Sequence, residues 1–146
     1  MNKIRIDSGK KRYTINGNPE ETIEFNPSDP AILTRFNTAL GKISNIEKEL
    51  DLAIDAEEGS DEYLKAQAEA LGKIDGFVRE QIDYIFDGRI ADIVFKNTSS
   101  TSTADGVPYF ERLINALYPI VEKDVQEEQK KQKQRLQKYT AKYKKK

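Results

Sequence analysis

Carboxylates are the side chains of this chain that could carry acid–base or metal chemistry, because the sequence contains no histidine and no cysteine. It therefore lacks the commonest general base near neutral pH, the commonest metal ligand and any thiolate nucleophile. Glu80, Asp83 and Asp87 recur at helical spacing and could line one side of a helix as metal ligands or as a glycosidase-type pair. The same spacing is typical of the solvated acidic face of an amphipathic helix, which we favour. With no glycine-rich phosphate loop, and no histidine beside the Ser/Thr cluster, we expect no catalytic residue, no cofactor and no metal site.

Charge is divided unequally along the chain. Residues 126–146 contain nine Lys or Arg and two Glu, a net charge of +7, so the first 125 residues carry −8 of the overall −1. After Val125 the large apolar residues are reduced to a leucine and two tyrosines, which form no continuous core face. We therefore expect a single domain over residues 1–125 and a basic tail over residues 126–146 that is flexible or conditionally helical.

Three interpretations of the basic tail stay open. It could be a solubilising terminus, it could neutralise nucleic-acid phosphates while its tyrosines stack on bases, or it could fold onto an acidic protein, including a second copy of this chain. Protein binding is favoured over nucleic-acid binding, because the charge is concentrated in the tail and not on a folded basic face. The candidate partner-binding residues are Lys130, Lys131, Lys133, Arg135, Tyr139 and Tyr143.

Three short segments near the N-terminus alternate apolar and polar residues at period two. They are KIRID at 3–7, RYTIN at 12–16 and TIEF at 22–25. The sequences SGKK at 8–11 and NGNP at 16–19 are typical of turns. We therefore predict a small antiparallel β-meander of three strands, with a helix against its apolar face.

Two long amphipathic helices follow and predict an antiparallel hairpin. Asp29 is expected to cap the first helix and Pro30 to occupy its first position. The second helix is expected to start at a cap formed by Ser60 or Asp61 and to end near residues 87–88.

A polar segment, NTSSTSTADG at 97–106, follows a short helical segment at 89–95 and predicts a mobile loop. Pro108 is expected to begin a third helix, and Pro119 to bend or break it. The predicted fold class is therefore mainly α with a small N-terminal antiparallel β-meander (α+β), built as a helical hairpin plus a third long helix and a charged C-terminal tail. The residues expected in the core are Phe36, Leu40, Ile43, Val78, Ile82, Ile85, Phe95, Phe110, Leu113 and Leu117.

Four stretches together resemble a family of small proteins from the tail-morphogenesis region of phages and prophages of Gram-positive bacteria. They are FNPSDP at 25–30, REQIDYIF at 79–86, VF at 94–95 and YFERLINALYPIVEK at 109–123, followed by a lysine-rich end. The similarity in order and spacing covers most of residues 23–143. Each motif is short, so the resemblance depends on the set.

The resemblance implies a phage tail assembly chaperone, a small helical protein that binds the tape measure protein, keeps it soluble and helps to recruit tube subunits. The expected partners are then the tape measure and tube proteins, with a second copy of the chain as a further candidate. Two alternatives are a structural virion component (head–tail or tube) and a nucleic-acid-binding accessory protein that uses the tail. The sequence has no apolar run long enough for a membrane span and no hydrophobic signal segment, so we expect no membrane partner and a location in the cytoplasm of the bacterial host.

Overall fold

The computed structural model describes residues 1–144 of the chain, with side chains as far as Lys142. This part is mainly helical with a small N-terminal antiparallel sheet, which confirms the predicted fold class. Within it the elements follow in the order β1 (Lys11–Ile15), β2 (Asn18–Phe25), α1 (Pro30–Leu52), α2 (Asp61–Phe86), α3 (Ala91–Phe95), β3 (Thr103–Ala104), β4 (Val107–Pro108) and α4 (Tyr109–Lys144). No helix among these elements combines the length and apolar character needed to cross a membrane.

The N-terminal sheet is a hairpin of two strands. β1 and β2 pair antiparallel around Asn16 and Gly17, whose φ angles of 51° and 73° suit the Asn-Gly sequence of a tight hairpin turn. The prediction of a third strand at residues 3–7 is wrong, because β1 and β2 are the two strands of this sheet in the described part. Ile4 and Ile6 are instead 87% and 83% exposed.

A turn at Gly9 lies between residues 3–7 and β1. Gly9 has a φ of 72° and donates its backbone N–H to Asp7 Oδ1 at 2.9 Å, and a Cβ at Gly9 would lie 2.7 Å from Asn26 Nδ2. This turn therefore requires glycine.

Side-chain caps define the starts of both long helices, as predicted. The Asp29 carboxylate accepts a hydrogen bond from the backbone N–H of Ala31 at 3.0 Å, and Pro30 is the first residue of α1. The Ser60 hydroxyl accepts from the backbone N–H of Tyr63 at 3.1 Å at the start of α2. These local contacts fix where the two helices of the hairpin start.

The buried face of α1 differs from the predicted stripe. Ile32, Ala39 and Ile43 are buried, whereas Leu40 is exposed and Phe36 is half-buried against the core. The predicted core position of Leu40 is therefore wrong. Ala39 is completely buried, and the helical rotation of about 100° per residue places Leu40 on the adjacent, exposed face.

Segment 97–106 was predicted to be a mobile loop, yet a carboxylate of α2 holds it in place. Asp75 Oδ1 accepts hydrogen bonds from the backbone N–H and the hydroxyl of Ser100, both at 2.7 Å. Ser100 is completely buried, and the β3–β4 hairpin follows it. Polar composition alone predicted mobility here because the binding partner lies 25 residues earlier in the chain.

Arg79 extends this attachment. Its guanidinium contacts the Asp75 carboxylate at 3.1 Å and donates to the backbone carbonyls of Lys96 and Thr98 at 3.0 and 2.7 Å. It also lies 5.6 Å above the ring of Phe95. Arg79 therefore holds the end of α3 and the start of the polar segment against α2.

The final helix, α4, runs from Tyr109–Lys144 without interruption, and Pro119 lies inside it. The prediction that Pro119 could break the helix is therefore wrong. Proline removes the hydrogen bond to the carbonyl four residues earlier, here that of Asn115. Because Asn115 and Pro119 are both exposed, water can satisfy that carbonyl.

One hydrophobic core joins the sheet, α1, α2, α3 and the first half of α4. The predicted core residues that are buried are Ile43, Val78, Ile82, Ile85, Phe95, Phe110, Leu113 and Leu117. Residues 126–142 are all exposed. The interpretation of residues 126–146 as a separate, flexible or conditionally helical tail stays a prediction, with residues 126–144 described as the second half of α4.

Candidate functional site

The second half of α4 carries the candidate partner-binding residues. Lys130, Lys131, Lys133, Arg135 and Tyr139 are all exposed on it, whereas the side chain of Tyr143 lies outside the described part of the chain. The structure adds a residue that was not among the candidates, Leu136, which is 57% exposed on the same helix. In the sequence Leu136 stands three residues before the tyrosine at 139 and seven before the one at 143, a helical spacing that could have identified it.

The helix distributes these residues over different faces. Successive residues of an α-helix are rotated by about 100°, so Lys133 lies on the same side as Leu136 and Thr140. These three side chains border one shallow surface depression. Lys131 and Lys138 lie on the opposite side, and Lys131 contacts Glu128 at 3.9 Å. The structure therefore brings together one cation and one apolar residue, not the full set of six.

A buried carboxylate attaches α4 to the sheet just before this exposed half begins. Asp124 forms an ion pair with Lys11 of β1 and accepts a hydrogen bond from the Ser28 hydroxyl at 2.6 Å. The hydrogen bond from Lys11, assisted by that from Ser28, lowers the pKa of Asp124, and the same pair raises the pKa of Lys11. Asp124 is thus an anchoring group, and the charged helix extends beyond it.

A groove with an acidic rim lies between the end of α1, the first half of α2 and the start of α4. Its volume is about 450 Å³. Leu71, Ile74 and Phe110 form an apolar floor, and Glu47 and Asp51 stand one helical turn apart on α1. Partial burial, together with the nearby Glu111 carboxylate, raises the pKa of Glu47.

A second cleft, of about 350 Å³, separates β1 from α4. Ile15, Leu113 and Ile120 are among its apolar lining residues, and Arg112 lies at its edge. The Arg112 guanidinium donates to the carbonyl of Ser102 at 3.2 Å, while its buried Nε has no hydrogen-bond partner within the described residues. This arginine braces the segment before α4.

The three acidic residues of α2 that were considered as metal ligands or as a glycosidase-type pair lie in different environments. Asp83 Oδ1 accepts hydrogen bonds from the backbone N–H groups of Ile90 and Ala91 at 2.9 and 2.8 Å, so it caps the start of α3. Glu80 and Asp87 are exposed to solvent. The part of the chain with described side chains contains no group of three acidic side chains placed to hold a metal ion.

Replacing Asp83 by Ala is expected to lower the free energy of unfolding by about 1–2 kcal/mol, because two backbone N–H groups at the start of α3 lose their acceptor. Urea unfolding followed by circular dichroism measures the change. Glu80→Ala, on the exposed side of the same helix, is the matched control and should change stability by less than about 0.5 kcal/mol. Equal effects of the two substitutions would contradict the capping role of Asp83.

No protein-family model matches the chain, and the searches of curated proteins and of solved structures found no match either. The comparisons therefore assign no family. The four stretches that carry the resemblance described above each supply a residue to the same hydrophobic core, namely Phe25, Ile82, Phe95 and Leu113. In this chain these motifs are thus parts of the fold, and the family they resemble stays a hypothesis.

Proposed function

We propose that this chain is a non-catalytic phage tail assembly chaperone or scaffold that binds the tape measure protein, the tail tube protein or both in the cytoplasm of the bacterial host. The observation that carries the proposal is the second half of α4. This part of the helix is attached through Asp124 to the body of the protein, residues 1–125, and is exposed beyond that residue, with Lys133 beside Leu136. The identity of the partners rests on the sequence resemblance.

The chemistry of this helix suits reversible protein binding. An apolar side chain such as that of Leu136 gains stability when a partner covers it, at about 25 cal/mol per Å² of buried apolar surface. The surrounding lysines favour an acidic partner, and their attraction to it weakens as the salt concentration rises. A contact of this kind can hold an aggregation-prone segment and release it when a larger interface forms.

The prominent carboxylates of the body support a non-catalytic role because each has a structural partner. Asp83 caps α3, Asp75 binds Ser100 and Arg79, and Asp124 binds Lys11 and Ser28. These groups are used to position backbone and helices. Function is therefore assigned to surfaces and not to a reaction centre.

Co-expression with the tape measure and tube proteins encoded beside this chain tests the proposal. We expect the full chain to keep the tape measure soluble and to co-elute with it in size-exclusion chromatography. Residues 1–125, which retain the core and Asp124, are expected to lose this activity. If neither neighbour binds and mass spectrometry finds the chain in purified virions, the chain is a structural component and the chaperone proposal is wrong.

Nucleic-acid binding is the second candidate function, favoured by the exposed cations and Tyr139 on one helix. It predicts DNA affinity that falls steeply with salt and is lost in residues 1–125. DNA binding with that salt dependence, combined with no binding to either tail protein, would favour this function over the chaperone.

A further inference from the structure

We propose that the exposed half of α4 docks into the acidic-rimmed groove of a second copy of this chain, with Leu136 in the groove and Lys133 against Glu47 and Asp51. The chain would then self-associate through a helix-into-groove contact. This inference goes beyond the chaperone function and needs no phage partner.

The groove is built to receive an apolar side chain. Its floor is formed by Ile74 and Phe110, which are buried, and by Leu71, which is 42% exposed. The volume of about 450 Å³ accommodates several side chains of one helical face. Uncovered, Leu71 keeps apolar surface in contact with water, so an occupant that covers it gains stability.

The rim of the groove selects a positively charged occupant. Glu47 and Asp51 stand on the same side of α1, and partial burial together with the nearby Glu111 carboxylate raises the pKa of Glu47. Lys48 also lines the groove, so the rim keeps an excess of negative charge without being uniformly acidic. A cation brought to Glu47 and Asp51 would relieve the repulsion between Glu47 and Glu111.

The exposed half of α4 has matching chemistry and spacing. Lys133 precedes Leu136 by about one helical turn on the same face, so placing Leu136 over the floor brings the Lys133 ammonium to the rim. The overall charges also match, since residues 126–146 carry +7 and the body carries −8. Opposite charges of this size favour encounter between the tail of one copy and the body of another.

The occupant must come from a second copy because the helix is continuous. Phe110 in the groove and Leu136 in the tail belong to the same helix, Tyr109–Lys144, and are 26 residues apart. At 1.5 Å per residue they are separated by about 39 Å along the helix axis. The tail therefore cannot fold back into its own groove while α4 stays intact. Two copies can exchange tails reciprocally in a closed dimer, or many copies can link head to tail.

Sedimentation equilibrium of the full chain tests this contact. We expect self-association that weakens with salt, and a dissociation constant raised about tenfold or more by Lys133→Glu or by Glu47→Lys with Asp51→Lys. Lys138→Glu makes the same charge change on the opposite face of the helix and should change the constant by less than about threefold. Circular dichroism confirms that each variant, all at exposed positions, keeps its helices.

Mixing two defective variants distinguishes this contact from other modes of association. Leu136→Asp keeps the groove, and Glu47→Lys with Asp51→Lys keeps the tail. Neither should associate alone, and the mixture should form a heterodimer through the one intact pair of surfaces. The inference is overturned if the wild-type chain is monomeric at every concentration, if Lys138→Glu is as damaging as Lys133→Glu, or if the mixture stays monomeric. None of these results decides whether the chain binds tail proteins, which the co-expression experiment tests separately.

Discussion

Replacing Phe25 by Ala is expected to lower the free energy of unfolding by about 3–5 kcal/mol, a large part of the stability of a domain of this size. Phe25 is 2% exposed at the end of β2. Its ring stacks on Tyr13 at a centroid distance of 4.9 Å and contacts Phe86 at 5.1 Å. The substitution would leave a cavity where the sheet meets the end of α2, in addition to the lost burial and ring contacts.

Thermal and urea unfolding followed by circular dichroism measure this change, and the melting temperature should fall by roughly 10 °C or more. Tyr84→Ala is the control, an aromatic residue two positions before Phe86 that is 50% exposed. It contacts the cations of Arg35 and Lys42 at 5.9 and 5.8 Å, so its loss should cost about 1 kcal/mol or less. If Phe25→Ala costs no more than Tyr84→Ala, the two-stranded sheet is not part of the core.

Features fixed by neighbouring residues were predictable from the sequence. The Asp29 and Ser60 caps each use a side chain that binds a backbone N–H within three residues, and the turn at Asn16 and Gly17 depends on two residues that tolerate positive φ. Such contacts form with little help from the rest of the chain. Their sequence signals are correspondingly specific.

Features decided by distant partners were not predictable. Ile4 and Ile6 alternate like a strand, yet both are exposed and lie outside the two-stranded sheet. Leu40 is larger and more apolar than Ala39, yet Ala39 occupies the buried position and Leu40 the exposed one. Apolar periodicity identifies a helix, and the packed neighbours decide which adjacent residue is buried.

The candidate site was only partly predictable for a related reason. Charge composition singled out residues 126–146 as the candidate binding segment, but it treated the six residues as one set. A helix rotates them onto different faces, so Lys133 joins Leu136 while Lys131 faces the opposite side. The groove with Glu47 and Asp51 is assembled from α1, α2 and α4, and no local motif marks it.

The second large effect concerns Asp75. Asp75→Ala is expected to lower the free energy of unfolding by about 2–4 kcal/mol, because the completely buried Ser100 loses the acceptor for both its N–H and its hydroxyl. Arg79, 19% exposed, would also lose the less exposed of its two carboxylate partners. The segment that leads into β3 should then become mobile, as its composition alone suggested.

Asp92→Ala is the matched control, because Asp92 also binds Arg79, at 2.9 Å, but is 79% exposed whereas Asp75 is 23% exposed. Solvent screens that pair, so its loss should cost about 1 kcal/mol or less. Hydrogen exchange at Ser100 should accelerate in Asp75→Ala and stay close to wild type in Asp92→Ala. If Ser100 exchanges equally slowly in both variants, the Asp75 carboxylate does not hold this segment.

The pH dependence separates the charge of Asp75 from its shape. Burial alone would raise the pKa of Asp75, but the hydrogen bonds from Ser100 and Arg79 outweigh it and lower the pKa. An acid with a lowered folded-state pKa contributes stability above its unfolded pKa of about 3.9 and loses it as pH falls through the folded value.

Asp75→Asn keeps an acceptor oxygen for Ser100 but removes this titration. The difference in stability between the wild-type chain and Asp75→Asn should therefore be constant above about pH 5 and shrink below about pH 4. Asp124 and Glu47 titrate in both proteins, with lowered and raised pKa respectively, so their effects cancel in this difference. A difference that does not change with pH would mean that the hydrogen bonds from Ser100 and Arg79 together do not lower the pKa of Asp75 in the folded protein.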